Sequence, residues 1–163
     1  MENILNEATA LGKLRQIDRQ AGLFVERLAG GNAPDLLLST TLVSRAVGQG
    51  HMCLPLDTIA GQHVFAPEIT FQVPDVDQLR TSLLESGVVG KPGDRAPLIL
   101  DEKDRCYLGR YYDCERRIGD DLRRRSRGIR DIDHAKAAEL LGRLFPPGNG
   151  IDWQQQAAAV ALL

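Results

Sequence analysis

One stretch constrains this chain more than any other. Between Pro34 and Gly48, the residues Leu36, Leu37, Leu38, Leu42, Val43, Ala46 and Val47 cover most of the circumference of a helix rather than one stripe of it. A helix apolar nearly all round has to be enclosed by other elements, so the spacing predicts a buried central helix over 36–47. Pro34 opens the segment, and Gly48 and Gly50 bracket the break after it.

The material available to enclose that helix is aliphatic. Of 163 residues, 43% are hydrophobic, 26% are charged and only 5% are aromatic. That balance excludes a disordered or fibrous chain and leaves Leu, Ala, Val and Ile to build the core. The length fits one domain or two small helical subdomains and excludes a large multidomain machine. Twenty basic against twenty-two acidic residues give a net charge of -2. Affinity for nucleic acid through whole-domain charge is therefore not expected, and any DNA contact has to be local. Cys53, Cys106 and Cys114 form an odd set without a C-x-x-C pair, which points to the reducing cytoplasm. Met1 to Gly12 carries Glu2 and Glu7 and lacks a basic head with an apolar centre, so no targeting signal is expected. No apolar run approaches the roughly 18 residues of a membrane span, so no insertion is expected either.

Along the chain, apolar positions at Ile4, Leu5, Ala8 and Leu11, then at Leu14, Ile17, Ala21, Val25 and Leu28, predict two short helices. Asp18 is expected to cap the second, and Gly30-Gly31 to stop it. His51 to Leu56 reads as an edge strand or ordered turn, because Pro55 denies it a central ladder position. The stretch from Ile59 to Pro74 is ambiguous, mixing Gly61, Pro67 and Pro74 with Val64, Phe65, Ile69 and Phe71. Asp75 is expected to cap a helix with Val76, Leu79 and Leu83 inward, ending at Gly87. Pro97 to Leu100 and Cys106 to Leu108 read as a β-hairpin, and helix, loop and hairpin together resemble a winged-helix element. Further helices are expected from Tyr111 to Gly128, from Ile132 to Phe145 and from Asp152-Trp153 to the last residue, Leu163. The fold class is thus predominantly helical α+β with one β-hairpin. The domain reading is a body over 1–145, a linker over 146–150 and the start of a further domain over 151–163.

Candidate chemistry is sparse. Between Arg110 and Arg130 lie eight arginines (110, 116, 117, 123, 124, 125, 127 and 130) against four acids, a local excess of +4. Such a run reads as a solvated helix face, a protein interface or a phosphate grip, and the sequence leaves the three open. His51, Cys53, Cys106 and Cys114 lack the close pairing of zinc ligands, and the thiols are expected to be buried small hydrophobes, so no metal site is assigned. The serines lack a G-x-S-x-G elbow, and no G-x-x-x-x-G-K-[ST] loop is present to cradle a triphosphate. No catalytic residue is assigned, and the chain by itself is expected to be inactive.

Three stretches carry a resemblance. They are Leu42-Val43-Ser44-Arg45-Ala46-Val47-Gly48-Gln49-Gly50-His51-Met52-Cys53-Leu54-Pro55-Leu56, then Pro97 to Leu100 with Cys106-Tyr107-Leu108-Gly109-Arg110-Tyr111-Tyr112 and Glu115, then Leu144-Phe145-Pro146 with Ile151-Asp152-Trp153 to Leu162. In order and spacing these are similar to the N-terminal region of the RecD family, the alpha subunits of the exodeoxyribonuclease V (RecBCD) helicase–nuclease. The resemblance implies a non-catalytic domain that docks a 5′-to-3′ DNA helicase motor onto RecC, beside RecB and DNA, in recombination and repair. The segment from 151 onward would then be the start of the motor, whose phosphate-binding loop lies beyond Leu163. ATP and Mg2+ are implied for the full-length subunit and not for this segment. Gln154 resembles the adenine-reading glutamine of helicases, and Arg110, Arg116, Arg117, Arg123, Arg124, Arg125 and Arg127 are the candidates for nucleic-acid or interface contact. An autonomous winged-helix nucleic-acid module is the alternative, and self-association through the terminal helix is a further expectation.

Overall fold

The computed structural model describes residues 1–126, 133–146 and 150–162. The chain divides into two compact units, Met1–Arg116 and Arg117–Leu163.

The first unit is organised around helix α3 (Pro34–Gly48), preceded by α1 (Glu2–Ala10) and α2 (Gln16–Leu28). Every residue of α3 from Leu36 to Ser44 is buried, as is Ala46, so the all-round apolar pattern does mark the central helix. It packs on α2, on α4 (Val76–Glu85) and on two strands, β1 (Leu54–Pro55) and β4 (Arg105–Leu108). Three of its four buried hydroxyls are satisfied, two of them within the helix and that of Ser44 by Asp18. Thr40 Oγ1 donates to Leu36 O at 2.7 Å, and Thr41 Oγ1 to Leu37 O at 2.8 Å, so neither carries an unmet hydrogen bond into the core. Ser39 Oγ is the exception on this helix, buried without a partner. Two glycines in left-handed conformation, Gly30 at φ 91° and Gly31 at φ 80°, end α2 as expected. Where α2 crosses α3, Gly22 sits so close that a Cβ there would collide with Thr41 Oγ1 and lie 2.8 Å from Leu37 O.

Asp18 differs from expectation. The N-cap of α2 is Arg15, and Asp18 occupies the third helical position, fully buried. Its carboxylate accepts from Arg15 N at 3.1 Å, Arg15 Nε at 2.9 Å, Arg15 Nη2 at 2.6 Å and Ser44 Oγ at 2.7 Å. Arg15 Nη2 also donates to Ser44 O at 3.1 Å, so one guanidinium and one carboxylate staple the start of α2 to α3. Burial alone would raise the Asp18 pKa, but the hydrogen bonds from Arg15 and Ser44 outweigh it and hold the carboxyl below its ordinary range.

The sheet has four strands in the order β1-β4-β3-β2, with β2 at Val89–Gly90 and β3 at Leu98–Leu100. The expected hairpin is its antiparallel centre, with Ile99 opposite Tyr107. On one side β1 adds antiparallel as an edge strand, Pro55 included. On the other, β2 adds parallel to β3. The ambiguous stretch contains no strand. Phe65, Ile69 and Val73 are buried there as anchors of an irregular loop, held by Val73 N to Gln62 O and Gly61 N to Val73 O, both at 3.0 Å. Asp75 caps α4 through Oδ1, which accepts from Gln78 N at 2.8 Å, while Leu79 and Leu83 are buried and Val76 is only partly so. Arg80 Nε reaches from α4 to Asp104 Oδ1 at 2.6 Å, fixing the hairpin turn.

Helix α5 (Gly109–Ser126) follows β4 directly and contributes residues to both units. The second unit adds α6 (His134–Leu144) and α7 (Trp153–Leu162), which pack on each other. Asp133 caps α6, accepting from Ala135 N at 3.1 Å and Lys136 N at 3.0 Å. The expected stop at Gly128 and the second half of Pro146-Pro147 lie outside the described residues.

Two outcomes follow from the α2–α3 contact. Gly22→Ala is expected to destabilise the fold by about 1–3 kcal/mol, because a methyl has no room against Thr41 and Leu37; a urea melt measures it. The depressed Asp18 carboxyl contributes stability that is complete above the unfolded value of about 4 and is lost as pH falls through its folded value. Asp18→Asn is therefore expected to cost on the order of 2 kcal/mol at pH 7 and much less at an acid pH below the folded value of the carboxyl. An equal cost at both pH values would contradict this account of the staple.

Candidate functional site

The arginine run lies on α5, where the side chains from Cys114 to Ile118 and from Leu122 to Ser126 are exposed. Several of its arginines meet acids one turn away on the same helix. Arg123 Nη1 lies 3.1 Å from Asp120 Oδ1, Arg125 Nε lies 2.7 Å from Asp121 Oδ2, and Arg124 pairs with Asp121. Hydrogen bonding from Arg124 is the main reason that Asp121 titrates below its ordinary range. Arg116 is also engaged. Arg110 and Arg117 make no ion pair among the described residues, and Arg127 lies outside them. The positive excess of the sequence is thus partly cancelled along the helix, as i, i+3 and i, i+4 spacing allows.

Gln154 stands exposed in the first turn of α7. Its backbone N–H donates to Asp152 Oδ1 at 2.9 Å, alongside Gln155 N at 3.1 Å, so Asp152 performs the capping. The Gln154 side chain makes no hydrogen bond among the described residues. Neither Gln154 nor the α5 arginines line the groove described next.

Apolar surface is the more distinctive feature. In the second unit no described residue is buried, although α6 is amphipathic. Ile118 and Leu122 stand out from α5 at 62% and 63% exposure, and Leu144 of α6 at 71%. Between α6 and α7 runs a groove of about 590 Å³ walled by Leu140, Leu141, Leu144, Phe145, Ala158 and Ala161. Trp153, the single tryptophan, is likewise exposed. The first unit has its own apolar strip, Ile17, Phe24 and Leu28 along the outer side of α2, with Leu11 of the preceding turn exposed as well. Scattered apolar residues on a surface are ordinary, but aligned ones mark places where another surface fits.

Two adjoining cavities at the C-terminal end of α3 escape a reading of the sequence. One, about 230 Å³, is lined by Leu42, Ala46, Leu54, Ile59 and Val64, with Arg45 and Gln49 at its side. The other, about 280 Å³, is lined by Lys13, Arg15, Asp18, Arg45, Gly48 and Gln49 among others. A Cβ on Gly48 would collide with the Arg15 guanidinium, which explains the glycine at that position. A signal is present in the sequence, since Arg45 is the one basic residue of this helix, but the fold is needed to put Lys13 and Arg15 next to it.

The thiols divide by environment. Cys106 is buried in β4 and its thiol is pushed up to about 12 by burial. Cys53 is half-buried, and Cys114 is exposed on α5 rather than packed as expected. Among the described residues no three His, Cys, Asp or Glu side chains are placed to hold a metal ion, and no helix is long and apolar enough to cross a membrane. In the native protein a thiol reagent is expected to modify Cys114 first and Cys53 more slowly, and to reach Cys106 only on unfolding. Peptide mapping after timed alkylation checks the order, and early modification of Cys106 would contradict the burial of β4.

Comparison with known proteins shows the family of the chain. Residues 10–107 match the family model described as "RecBCD enzyme subunit RecD, N-terminal domain", more than half of the chain. The chain is 32% identical over 125 residues to the RecBCD enzyme subunit RecD of Mycolicibacterium smegmatis, an alignment that covers 77% of this chain and 20% of that relative. The aligned region thus spans about a fifth of the relative's length. The region matched by the family model holds α2 to α4 and almost the whole sheet, and with them most of the buried core.

Proposed function

The chain belongs to the RecD N-terminal-domain family, and from that premise we propose that it is the non-catalytic part of a RecD subunit that docks a 5′-to-3′ DNA helicase motor onto RecC. Its setting is then exodeoxyribonuclease V in the cytoplasm, with RecC and RecB as partners and DNA held by the assembled enzyme in double-strand-break repair and recombination. The observation that supports docking best is the apolar surface: a strip on α2 in the first unit, and helices without a buried residue among those described in the second. Surfaces of that kind bind protein, because apolar side chains gain free energy on leaving water while phosphates offer them nothing. ATP and Mg2+ belong to the motor in this reading, and Gln154, exposed in the first turn of α7, is the candidate to read an adenine edge once the motor's phosphate-binding loop is present. The arginines of α5 serve the interface or the DNA within the assembly; the pairing of Arg123, Arg124 and Arg125 with Asp120 and Asp121 argues against a free-standing phosphate grip.

Mixed with RecC of the same source, the chain is expected to co-elute as a complex in size-exclusion chromatography. Alone it is expected to show no ATPase or nuclease turnover and no DNA affinity even at low salt, where counterion release favours binding most. Failure to bind RecC together with salt-sensitive DNA binding would instead favour the autonomous winged-helix module. A concentration-dependent shift of the chain alone, removed by deleting 151–163, would identify self-association through α7.

A further inference from the structure

The C-terminal end of α3 carries one uncommitted charge beside one apolar cavity. Three cations meet there, and two are occupied. Arg15 is held by Asp18 and Ser44 O, and Lys13 Nζ lies 2.5 Å from Glu68 Oε2 and 2.9 Å from Ala66 O. Arg45, common to both cavities, makes no side-chain hydrogen bond or ion pair among the described residues. Nor is it consumed in capping α3, since the carbonyls of Arg45, Ala46 and Val47 already accept from the backbone amides of Gln49, Gly50 and His51. With Asp18 and Glu68 matched against Arg15 and Lys13, the surplus charge of the site rests on Arg45.

We propose that Arg45 and the cavity beside it form a socket for an apolar-acidic segment of a partner protein. One aliphatic or aromatic side chain enters the space among Leu42, Ala46, Leu54, Ile59 and Val64, and a carboxylate one or two residues along pairs with Arg45. Charge complementarity selects an acidic occupant, because an uncompensated cation flanked by two neutralised ones attracts one negative group. The apolar half selects a polypeptide over a nucleic acid: a phosphate would satisfy Arg45 and leave a cavity of about 230 Å³ unfilled, whereas a side chain fills it. A guanidinium also suits the planar, two-pronged geometry of a carboxylate. The socket rests on the docking proposed above and gives it a location on the first unit.

The test is the affinity of the full chain for RecC of the same source by biolayer interferometry, with Arg45→Glu, Gln49→Glu and Gln49→Lys. Arg45→Glu is expected to weaken binding at least tenfold. At Gln49, on the edge of both cavities, the Glu variant is expected to weaken binding several-fold and the Lys variant to hold or tighten it, an opposition of sign that a loss of packing does not produce. Melting temperatures should stay near that of the unaltered chain, since neither side chain holds the fold together. Binding by Arg45→Glu within twofold of the unaltered chain, or Gln49 variants that shift in the same direction, would overturn the socket while leaving docking intact. No binding by the unaltered chain would refute docking, and the socket with it.

Discussion

Everything in the first unit follows from having to enclose α3. A helix buried from Leu36 to Ser44 has no face to give to water, so α2, α4 and the edge and centre of a small sheet close round it. Its polar residues, Ser39 apart, survive burial because each has a defined role: Thr40 and Thr41 return their hydroxyls to the helix backbone, and Ser44 donates to Asp18. Asp18 then carries the one fully buried carboxylate among the described residues. It is tolerable only because four donors meet it, since an ionised carboxylate in an apolar interior is among the most costly groups to bury.

Much of this is legible in the sequence. Periodicity locates the helices because 3.6-residue spacing follows from the helix itself, and local properties mark ends and edges: the left-handed backbone of Gly30-Gly31, the side-chain cap of Asp75 and the missing amide of Pro55. What escapes depends on long-range contacts. Asp18 looks like a cap because a carboxylate near a helix start usually is one; the chain places it three residues after the N-cap Arg15, whose side chain and amide it accepts from, and Ser44, 26 residues away, completes its burial against α3. The parallel pairing of Val89–Gly90 with β3 is two residues long and too brief for any pattern. Phe65, Ile69 and Val73 anchor a loop in a stretch that stays ambiguous on paper, because β-formers and loop anchors have the same composition. At the candidate sites, the arginines of α5 and the acids three and four positions before three of them stand in the sequence at helix spacing, whereas the cluster at Arg45 requires the fold.

The two units differ in a way that bears on function. The first has a core of its own and contains the whole region that matches the RecD N-terminal-domain family. The second has helices whose apolar side chains remain exposed, a groove of about 590 Å³ between α6 and α7 among them. A body with its own core joined to a segment with exposed apolar surface is consistent with the docking role proposed above. Catalytic residues are not needed for that role, whereas shape and adhesion are.

The most direct measurement is hydrogen exchange of the chain alone and bound to RecC, followed peptide by peptide across α2 and the residues 134–162. Slowing of exchange by tenfold or more in those segments on adding RecC, with the interior of α3 unchanged, is the outcome expected if their exposed apolar faces are docking surfaces. Identical exchange with and without RecC would contradict it.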